Sequence, residues 1–271
     1  MKLPAGKVSN DLLKRIVFPY GGVNCGRVIC GPAVGQDAAV IDYGEKLLVI
    51  GSDPITGTRS KLGWYAVHIN ANDVAVRGAT PQFFTSTILL PNGASTDFLE
   101  EICKSVDEAA REIGVCVVGG HTEVVPYLEN PLLCGTMFGE TTKDKLVLTS
   151  GAHAGDFIIL TKHVGLEGAA ILATDRFEDL RKFLDDEILL RAQSFFASLS
   201  VVKEALTVNE TGVVTSMHDP TEGGLLGGLV ELAEASNVGF RLEEELIPVA
   251  EETLEICSTL GVDPLCLISS G

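Results

Sequence analysis

Apolar residues in the first half of the chain alternate between helical and strand-like spacings. Apolar positions that recur every three or four residues predict helices over residues 10–17, 63–77 and 97–113. The last of these contains Asp97 and Glu100, which are spaced as a capping box. Short apolar and β-rich runs predict strands over residues 38–41, 47–50, 83–90 and 115–118. This alternation of strands and helices is typical of an α/β unit.

The pattern restarts around residues 149–156, where glycines and polar residues separate two apolar segments. We therefore expect two domains, residues 1–148 and residues 149–271. In the second domain the same spacings predict strands over residues 157–161 and 213–217, and helices over residues 187–206 and 221–235. The predicted fold class is thus α/β (α+β), with a second α/β unit after the first.

Composition supports this class and limits the partners. The 271 residues are 46% hydrophobic and include 29 glycines, which suits α/β packing with many tight turns. The formal net charge of −17 argues against binding to DNA or RNA, because a polyanion would be repelled. The charge does not bear on ATP, since a magnesium ion can lie between protein carboxylates and a triphosphate.

Cysteine usage and hydropathy predict a cytoplasmic protein. Seven cysteines occur without a CxxC motif, so we expect reduced, buried thiols, among them Cys266; a cysteine metal site is the lesser alternative. No run of 18 apolar residues occurs, and the N-terminal residues lack the apolar core of a signal peptide. We expect no membrane association.

Two aspartates lie where glycine-containing turns meet predicted strands. Asp37 follows Gly35 and opens the strand over residues 38–41. Asp53 follows the strand over residues 47–50, at the end where ligand sites of α/β folds tend to lie. Two interpretations stay open for each: a carboxylate that binds a ligand, or one that accepts hydrogen bonds from amides of its own turn.

Three polar residues share one face of the helix predicted over residues 63–77. Asn70, Asp73 and Arg77 are spaced i, i+3 and i+7, away from the apolar stripe. A carboxylate and an amide suit magnesium, and a guanidinium suits phosphate oxygens. The alternative is a solvated face on which Asp73 pairs with Arg77 at i, i+4.

Two further glycine motifs follow predicted strands. In Met217-His218-Asp219-Pro220-Thr221-Glu222, Asp219 as N-cap, Pro220 as first helical residue and Glu222 would form a capping box. Capping leaves His218 and the following double glycine unexplained, and a glycine-rich helix start suits an anion. In the second motif, Gly119-Gly120-His121-Thr122, the histidine is either an acid or base, or a hydrogen-bonding group.

Taken in order, these motifs resemble one superfamily, the aminoimidazole-ribonucleotide synthase (PurM-like) superfamily. GQDAAVI looks like its mobile phosphate loop, INANDVAVRGATPQFF like its central helix and following strand, and GGHTEVVP like its GGxT turn. MHDPTEGGL is similar to the second-domain motif of the hydrogenase-maturation branch. GxGxxG and GxxxxGK[ST] are both absent, so neither a Rossmann fingerprint nor a P-loop is indicated.

The resemblance implies a PurM-like two-domain fold. The N-terminal sheet would pair with that of a second subunit, forming a barrel across a homodimer, and the second α/β domain would pack beside it. It also implies Mg²⁺ held by Asp37, Asp53 and Asp73. ATP would be bound by Gly35, Asp37, Asn70, Asp73, Gly119, Gly120 and Thr122. His218 and Asp219 would face the substrate as catalytic residues.

The implied chemistry is phosphoryl transfer from ATP to a carbonyl or amide oxygen. In the hydrogenase-maturation branch the acceptor is the thiocarboxamide of the protein's own C-terminal cysteine, within a Pro-Arg-x-Cys tail. The present 271 residues end in Leu267-Ile268-Ser269-Ser270-Gly271, so we expect a truncated chain, a fold that closes differently, or another acceptor.

Three functional hypotheses therefore remain. The first is an ATP-dependent enzyme that resembles the maturation dehydratase and acts on a small-molecule or protein-thiol-derived substrate, with metallocentre maturation proteins as partners. The second is a small-molecule kinase similar to thiamine-monophosphate kinase. The third is a nucleotide-binding partner in metallocentre assembly that does not catalyse a reaction.

Overall fold

The computed structural model describes residues 3–271 and forms one mixed sheet in its first half. Its strands are β1 (Val28–Cys30), β2 (Ala38–Asp42), β3 (Leu47–Gly51), β4 (Pro54–Ile55), β5 (Thr80–Pro91), β6 (Cys116–Val125) and β7 (Leu132–Thr141). The strand order is β1-β2-β3-β7-β5-β6, with β4 paired to β7. Neighbours are antiparallel except β5 and β6, which are parallel. The four strands predicted in the first half are thus confirmed, and all four are longer than expected.

Helices flank this sheet. The short helix α1 (Asn10–Leu12) continues as a π-helix, Leu13–Val17. Helix α2 (Leu62–Ala75) is buried along almost its whole length, and α3 (Thr96–Glu112) packs beside it with one apolar face. Their contact is close: a Cβ on Gly63 would lie 2.6 Å from the carbonyl oxygen of Ile102. The predicted helices are confirmed, and α2 lies in the centre of the first half.

The cap of α3 differs from the prediction. Ser95 has an extended backbone, and its hydroxyl accepts a hydrogen bond from the amide of Phe98 at 3.1 Å. Because Ser95 is the N-cap, Asp97 lies inside the first turn, where a carboxylate favours the positive end of the helix dipole. The capping box with Asp97 was therefore wrong by two residues.

The core lies between the sheet and α2. Large side chains that are fully buried there include Leu47, Phe84, Leu133 and Met137. Five of the seven cysteines are exposed, and only Cys30 and Cys257 are buried. The prediction of buried thiols was wrong for Cys25, Cys103, Cys116, Cys134 and Cys266. Apolar neighbours in sequence do not bury a residue when its strand or helix leaves that face uncovered.

The second half is mainly helical. It contains α4 (Leu166–Asp175), α5 (Phe177–Leu180), α6 (Asp186–Ser194), α7 (Val202–Asn209), α8 (Gly224–Ser236) and α9 (Glu251–Leu260). Within residues 149–271 the β pairing is limited to one isolated bridge, Val164 with Val249. The segments 157–161 and 213–217 form no strand, contrary to prediction, because neither makes backbone hydrogen bonds with a neighbouring strand; Phe157 is 94% exposed.

The helix predicted over residues 187–206 is interrupted between α6 and α7. Asn72, fully buried on α2, donates to the carbonyl of Leu199 at 2.8 Å and accepts from the amide of Val201 at 2.9 Å. These backbone groups are therefore satisfied by a side chain from the first half. The same two hydrogen bonds attach α2 to the second half, although the predicted domain boundary at residues 148 and 149 stays a prediction.

None of the helices described within residues 3–271 is both long and apolar enough to cross a bilayer.

Replacing Asn72 with Ala tests this attachment. The change leaves a buried carbonyl and a buried amide without partners, at a cost of about 1–3 kcal/mol each in the free energy of unfolding. Denaturant unfolding measures the loss. The control is Asn209→Ala, which removes one hydrogen bond from an exposed side chain to the Lys145 carbonyl. Equal losses in both variants would contradict a special role for Asn72.

Candidate functional site

Three separate segments bring aspartates together beside the buried second half of α2. Asp37 lies just before β2, Asp53 just after β3, and Asp219 in the extended segment before α8. Ligand atoms of Asp37, His218 and Asp219 all lie within 4.8 Å of one another. On α2, Asp73 lies so close to β3 that a Cβ on Gly51 would be 2.9 Å from its Cβ. Only glycine therefore fits at that point of the strand.

Two of these carboxylates have no hydrogen-bond partner. All four carboxylate oxygens of Asp73 and Asp219 are buried and unpaired among the described residues. Burial raises the pKa of Asp73 well above its ordinary value, and the neighbouring charges of Asp219 and Asp53 raise it further. The pKa of Asp219 is likewise raised, first by burial and then by Asp37. Such carboxylates are costly to bury unless something positive compensates them.

Asn70 fixes the backbone of Asp53. Its side-chain oxygen accepts from the Asp53 amide at 2.8 Å, and its side-chain nitrogen donates to the Asp53 carbonyl at 3.2 Å. The amide nitrogen also donates to the Ala66 carbonyl within α2. Burial, followed by the charges of Asp37 and Glu222, raises the pKa of Asp53 to about 6. Asn70 thus positions an aspartate rather than lying on a solvated face.

Arg77 is fully buried at the end of the same helix face. It donates to the Thr149 hydroxyl at 2.6 Å, to the Gly35 carbonyl at 3.1 Å and to the Asp37 carboxylate at 3.3 Å. The alternative of an exposed Asp73–Arg77 pair was therefore wrong. Both sides of α2 are covered, by the sheet and by the second half, so its polar face lines the interior.

His218 lies between two carboxylates. Its Nδ1 is 2.9 Å from Asp37 Oδ2, and its Nε2 is 3.2 Å from Glu231 Oε2. Burial favours the neutral ring, but Asp37 and Glu231 outweigh it and raise the pKa of His218 to about 9. Burial also opposes the charge of Asp37, whose pKa is nevertheless lowered by His218 and Arg77. At neutral pH the three groups form a cation between two anions.

The start of α8 is not the predicted capping box. Its N-cap is Gly223, with φ of 93°, and the helix begins at Gly224. Asp219 lies four residues earlier and its oxygens cap no amide. Asp219 and Glu222 have the sequence spacing of a capping box, but the chain makes a turn at Thr221 before the helix begins. Asp219 therefore faces the acidic cluster instead of the helix.

The motif at residues 119–122 lies elsewhere. It is not a turn but the middle of β6, where Gly119, Gly120 and Thr122 are exposed. Gly120 pairs with Ser86 on β5, and Ser86 pairs with Gly135 on β7, next to Asn70. Two strand spacings of roughly 5 Å each therefore separate this motif from the acidic cluster in the sheet direction. A Cβ on Gly120 would overlap the Ser86 carbonyl.

Sequence reasoning missed three residues of this site. Glu231 and Lys7 bind one another at 3.1 Å, and Thr149 binds Arg77. Glu231 lies on a helix face that carried no distinct motif, and Lys7 and Thr149 lie in segments read as termini or boundaries. No signal in the chain alone pairs residues 224 positions apart.

Family models match both halves of the chain. Residues 35–141 match the model of the AIR synthase related protein N-terminal domain, and residues 153–271 match that of its C-terminal domain. A putative hydrogenase expression/formation protein of Methanocaldococcus jannaschii is 30% identical over 98% of this chain and 78% of its own length. The carbamoyl dehydratase HypE of Rhizobium leguminosarum bv. viciae is 32% identical over 80% of this chain, which spans 61% of that relative.

Solved structures show the same fold. Hydrogenase maturation protein HypE in complex with ATP is 28% identical, with a TM-score of 0.69 over 98% of this chain and 77% of that one. HypE in a HypE–HypF complex is 26% identical, with a TM-score of 0.74 over 88% and 76% of the two chains. Thiamine monophosphate kinase of Aquifex aeolicus, at 20% identity and a TM-score of 0.71 over 88% and 81%, shares the fold alone.

Together, the two matched domain models cover most of the chain. The predicted mixed α/β class and PurM-like architecture are confirmed. The chain belongs to the AIR synthase related protein family, and relatives named HypE are among its matches.

Proposed function

We propose that this chain is an ATP-dependent enzyme that uses Mg²⁺ to transfer a phosphoryl group to a carbonyl or amide oxygen. The observation that carries the proposal is the set of four buried, unpaired oxygens on Asp73 and Asp219, beside Asp37 and Asp53. The names of the HypE relatives and the ATP complex of one of them support it.

The donor chemistry fits a divalent cation with oxygen ligands. Mg²⁺ is held in proteins by carboxylates together with substrate phosphates, and it would supply charge neutralisation for the transferring phosphoryl group. Asp37, Asp53 and Asp73 are the proposed ligands, and the unpaired oxygens of Asp219 add a fourth. Oδ2 of Asp37 already contacts His218 and Arg77, which leaves Oδ1 for an ion.

The nucleotide would lie between this cluster and the sheet edge. Gly35 and Asp37 end the glycine-rich loop, and Asn70 holds the Asp53 backbone, so these groups would position the phosphates. Gly119, Gly120 and Thr122 lie two strands away, and only a ligand that extends across the sheet would contact both groups. Phosphoryl transfer depends mainly on such positioning and on electrostatic stabilisation.

His218 and Asp219 would face the acceptor. His218 holds its proton between two carboxylates and so would orient the site as a cation; a role as general base would require breaking one of these contacts. Asp219, with its raised pKa, can hold a proton or bind the ion. Dehydration of an acceptor amide would leave its oxygen on the departing phosphate, with ADP and a nitrile-type product.

The sheet edge supports a homodimer. Nearly all of β6 is exposed, including Val117, Val118 and Val124, at 44%, 54% and 53%. An exposed apolar edge strand is a ready site for pairing with another strand. We propose that β6 pairs with a second copy of this chain, and that a metallocentre maturation protein is a further partner, as the HypE–HypF complex suggests by similarity.

The two alternatives have less support. The likeness to thiamine monophosphate kinase is one of fold, at 20% identity. A nucleotide-binding partner without turnover would share the same acidic cluster. Measuring ATP hydrolysis with candidate amides distinguishes it from an enzyme.

Asp73→Asn should abolish Mg²⁺-dependent binding of ATP, because it removes a central proposed ligand. Calorimetric titration of ATP with and without Mg²⁺ should show the loss as more than about tenfold, since even groups that support metal ligands contribute that much. Without metal, the variant should be about as stable as the wild type, because burial already favours the neutral form of Asp73 and asparagine is neutral and similar in shape.

The matched control is Asp107→Asn, which changes an exposed aspartate paired with Arg111 on α3. It should bind ATP as the wild type does. Unchanged Mg²⁺-dependent affinity in Asp73→Asn would remove Asp73 from the site.

Stabilisation by Mg²⁺ should increase with pH. The folded pKa of Asp53 is about 6, above its ordinary value, and those of Asp73 and Asp219 are also raised. Without metal these groups favour the folded state most below about pH 4, and that contribution is lost as pH rises through their folded pKa values. Mg²⁺ requires the deprotonated forms, so it should raise the melting temperature more at about pH 8 than at about pH 5. An equal rise at both pH values would contradict the proposed ligands.

Val118→Lys should convert a dimer into a monomer, because it places a charge on the exposed strand β6. Sedimentation velocity measures the change in mass. The control is Val213→Lys, an exposed valine of the second half, which should leave the mass unchanged. A wild-type monomer, or a dimer that persists in Val118→Lys, would contradict pairing through β6.

A further inference from the structure

A row of alternating charges runs from the surface into the acidic cluster. Lys7 contacts Glu231 at 3.1 Å, Glu231 contacts His218 at 3.2 Å, His218 contacts Asp37 at 2.9 Å and Asp37 contacts Arg77 at 3.3 Å. The five side chains come from five different segments of the chain. We call this row the charge relay, without implying that a proton moves along it.

Four of the five side chains of the charge relay are mostly buried. The Lys7 side chain is 37% exposed, whereas Asp37 is 16%, Glu231 12% and His218 4% exposed, and Arg77 is fully buried. Ion pairs near the surface contribute little, but removing one partner of a buried pair is strongly destabilising for the other. The buried ring of His218 therefore depends on Glu231, which lies between it and the surface cation Lys7.

Glu231 also lies against the glycine loop. A Cβ on Gly35 would be 3.1 Å from the Glu231 carbonyl oxygen, so the loop that delivers Asp37 rests on this part of α8. One turn further along α8, Glu234 pairs with Lys14 of the N-terminal segment. Two lysines of that segment thus contact α8. Only the Lys7–Glu231 pair is connected to the acidic cluster, through the contact of Glu231 with His218.

We propose that Glu231 is a positioning residue for the Asp37 carboxylate, with Lys7 as its counter-ion, and that it sets the affinity of the site for Mg²⁺. The inference rests on the proposed function, in which Asp37 is a ligand of the ion. Glu231 does not reach the cluster itself; it acts through the ring of His218.

The physical reason is orientation. The hydrogen bond between Nε2 and Glu231 orients the His218 ring, so that Nδ1 lies 2.9 Å from Oδ2 of Asp37, which Arg77 also contacts. Without the Glu231 carboxylate, the ring is held at one nitrogen, and Asp37 loses a fixed cation. Groups that orient metal ligands in this way typically contribute about 10- to 100-fold in metal affinity.

Glu231→Gln in the full chain tests the proposal, because it removes the charge and keeps the shape. Titration with Mg²⁺ alone, followed by calorimetry, should show a dissociation constant raised by about 10- to 100-fold. ATP affinity at saturating Mg²⁺ should change much less, since the ligands themselves are intact. A loss of ATP affinity that saturating Mg²⁺ does not restore would overturn the positioning role.

The matched control is Glu234→Gln, which breaks the other lysine pair on the same helix. It should leave Mg²⁺ affinity unchanged. Equal losses in the two variants would show that general docking of the N-terminal segment, not the charge relay, supports the site, and would overturn the proposal.

Lys7→Gln provides a second variant that folds even if Glu231→Gln does not, because Lys7 lies at the surface end of the relay. Its loss of Mg²⁺ affinity should be smaller, and it should add nothing in combination with Glu231→Gln. Additive losses would mean that Lys7 does not act through Glu231.

Asp73→Asn distinguishes failure of the proposed metal site from failure of the positioning role of Glu231. If that variant loses Mg²⁺ binding while Glu231→Gln binds like the wild type, the metal site stands and the positioning role falls. If Asp73→Asn itself binds Mg²⁺ like the wild type, the ion lies elsewhere and both proposals fall.

Discussion

The buried guanidinium of Arg77 is the interaction on which the rest of the site depends. It joins the end of α2 to the Gly35 carbonyl, to Asp37 and to Thr149 of the second half. The backbone of Thr149 in turn accepts from Ser216 and Ser236, next to His218 and at the end of α8. One cation therefore fixes the glycine loop and the second half against the central helix. A charge this deeply buried is tolerated because both terminal nitrogens of the guanidinium have acceptors, one of them the Asp37 carboxylate.

The acidic cluster is the complementary constraint. Carboxylates without partners are unfavourable in the interior, and two buried aspartates with unpaired oxygens indicate a role beyond stability. Their raised pKa values follow from burial and mutual repulsion. A divalent cation would convert this repulsion into attraction. Carboxylates with pKa values raised in this way are common at functional sites.

Two sides of α2 serve different purposes. Its second half carries Asn70, Asp73 and Arg77 into the site, while Asn72, on another side, attaches the helix to the backbone at Leu199 and Val201. A single helix thereby sets the distance between the sheet, the cluster and the second half. The charge relay extends this arrangement to the N-terminal segment, so residues far apart in sequence can influence the orientation of Asp37.

The sequence alone determined the strands and helices of the first half, since a half-buried strand and an amphipathic helix have distinct apolar periods. It also selected Asp37, Asp53, Asp73, His218 and Asp219, because each lies in a motif at the end of an element. Tertiary structure decided what periodicity cannot encode. Packing buries the polar face of α2 and places Asp219 in the acidic cluster instead of at a helix cap. It also places residues 119–122 in an edge strand and leaves the segments 157–161 and 213–217 without strand partners. Glu231, Lys7 and Thr149 join the site only through contacts distant in sequence. Local patterns show which face of a helix or strand is apolar and which is polar. Only tertiary packing determines which other residues each of these faces contacts.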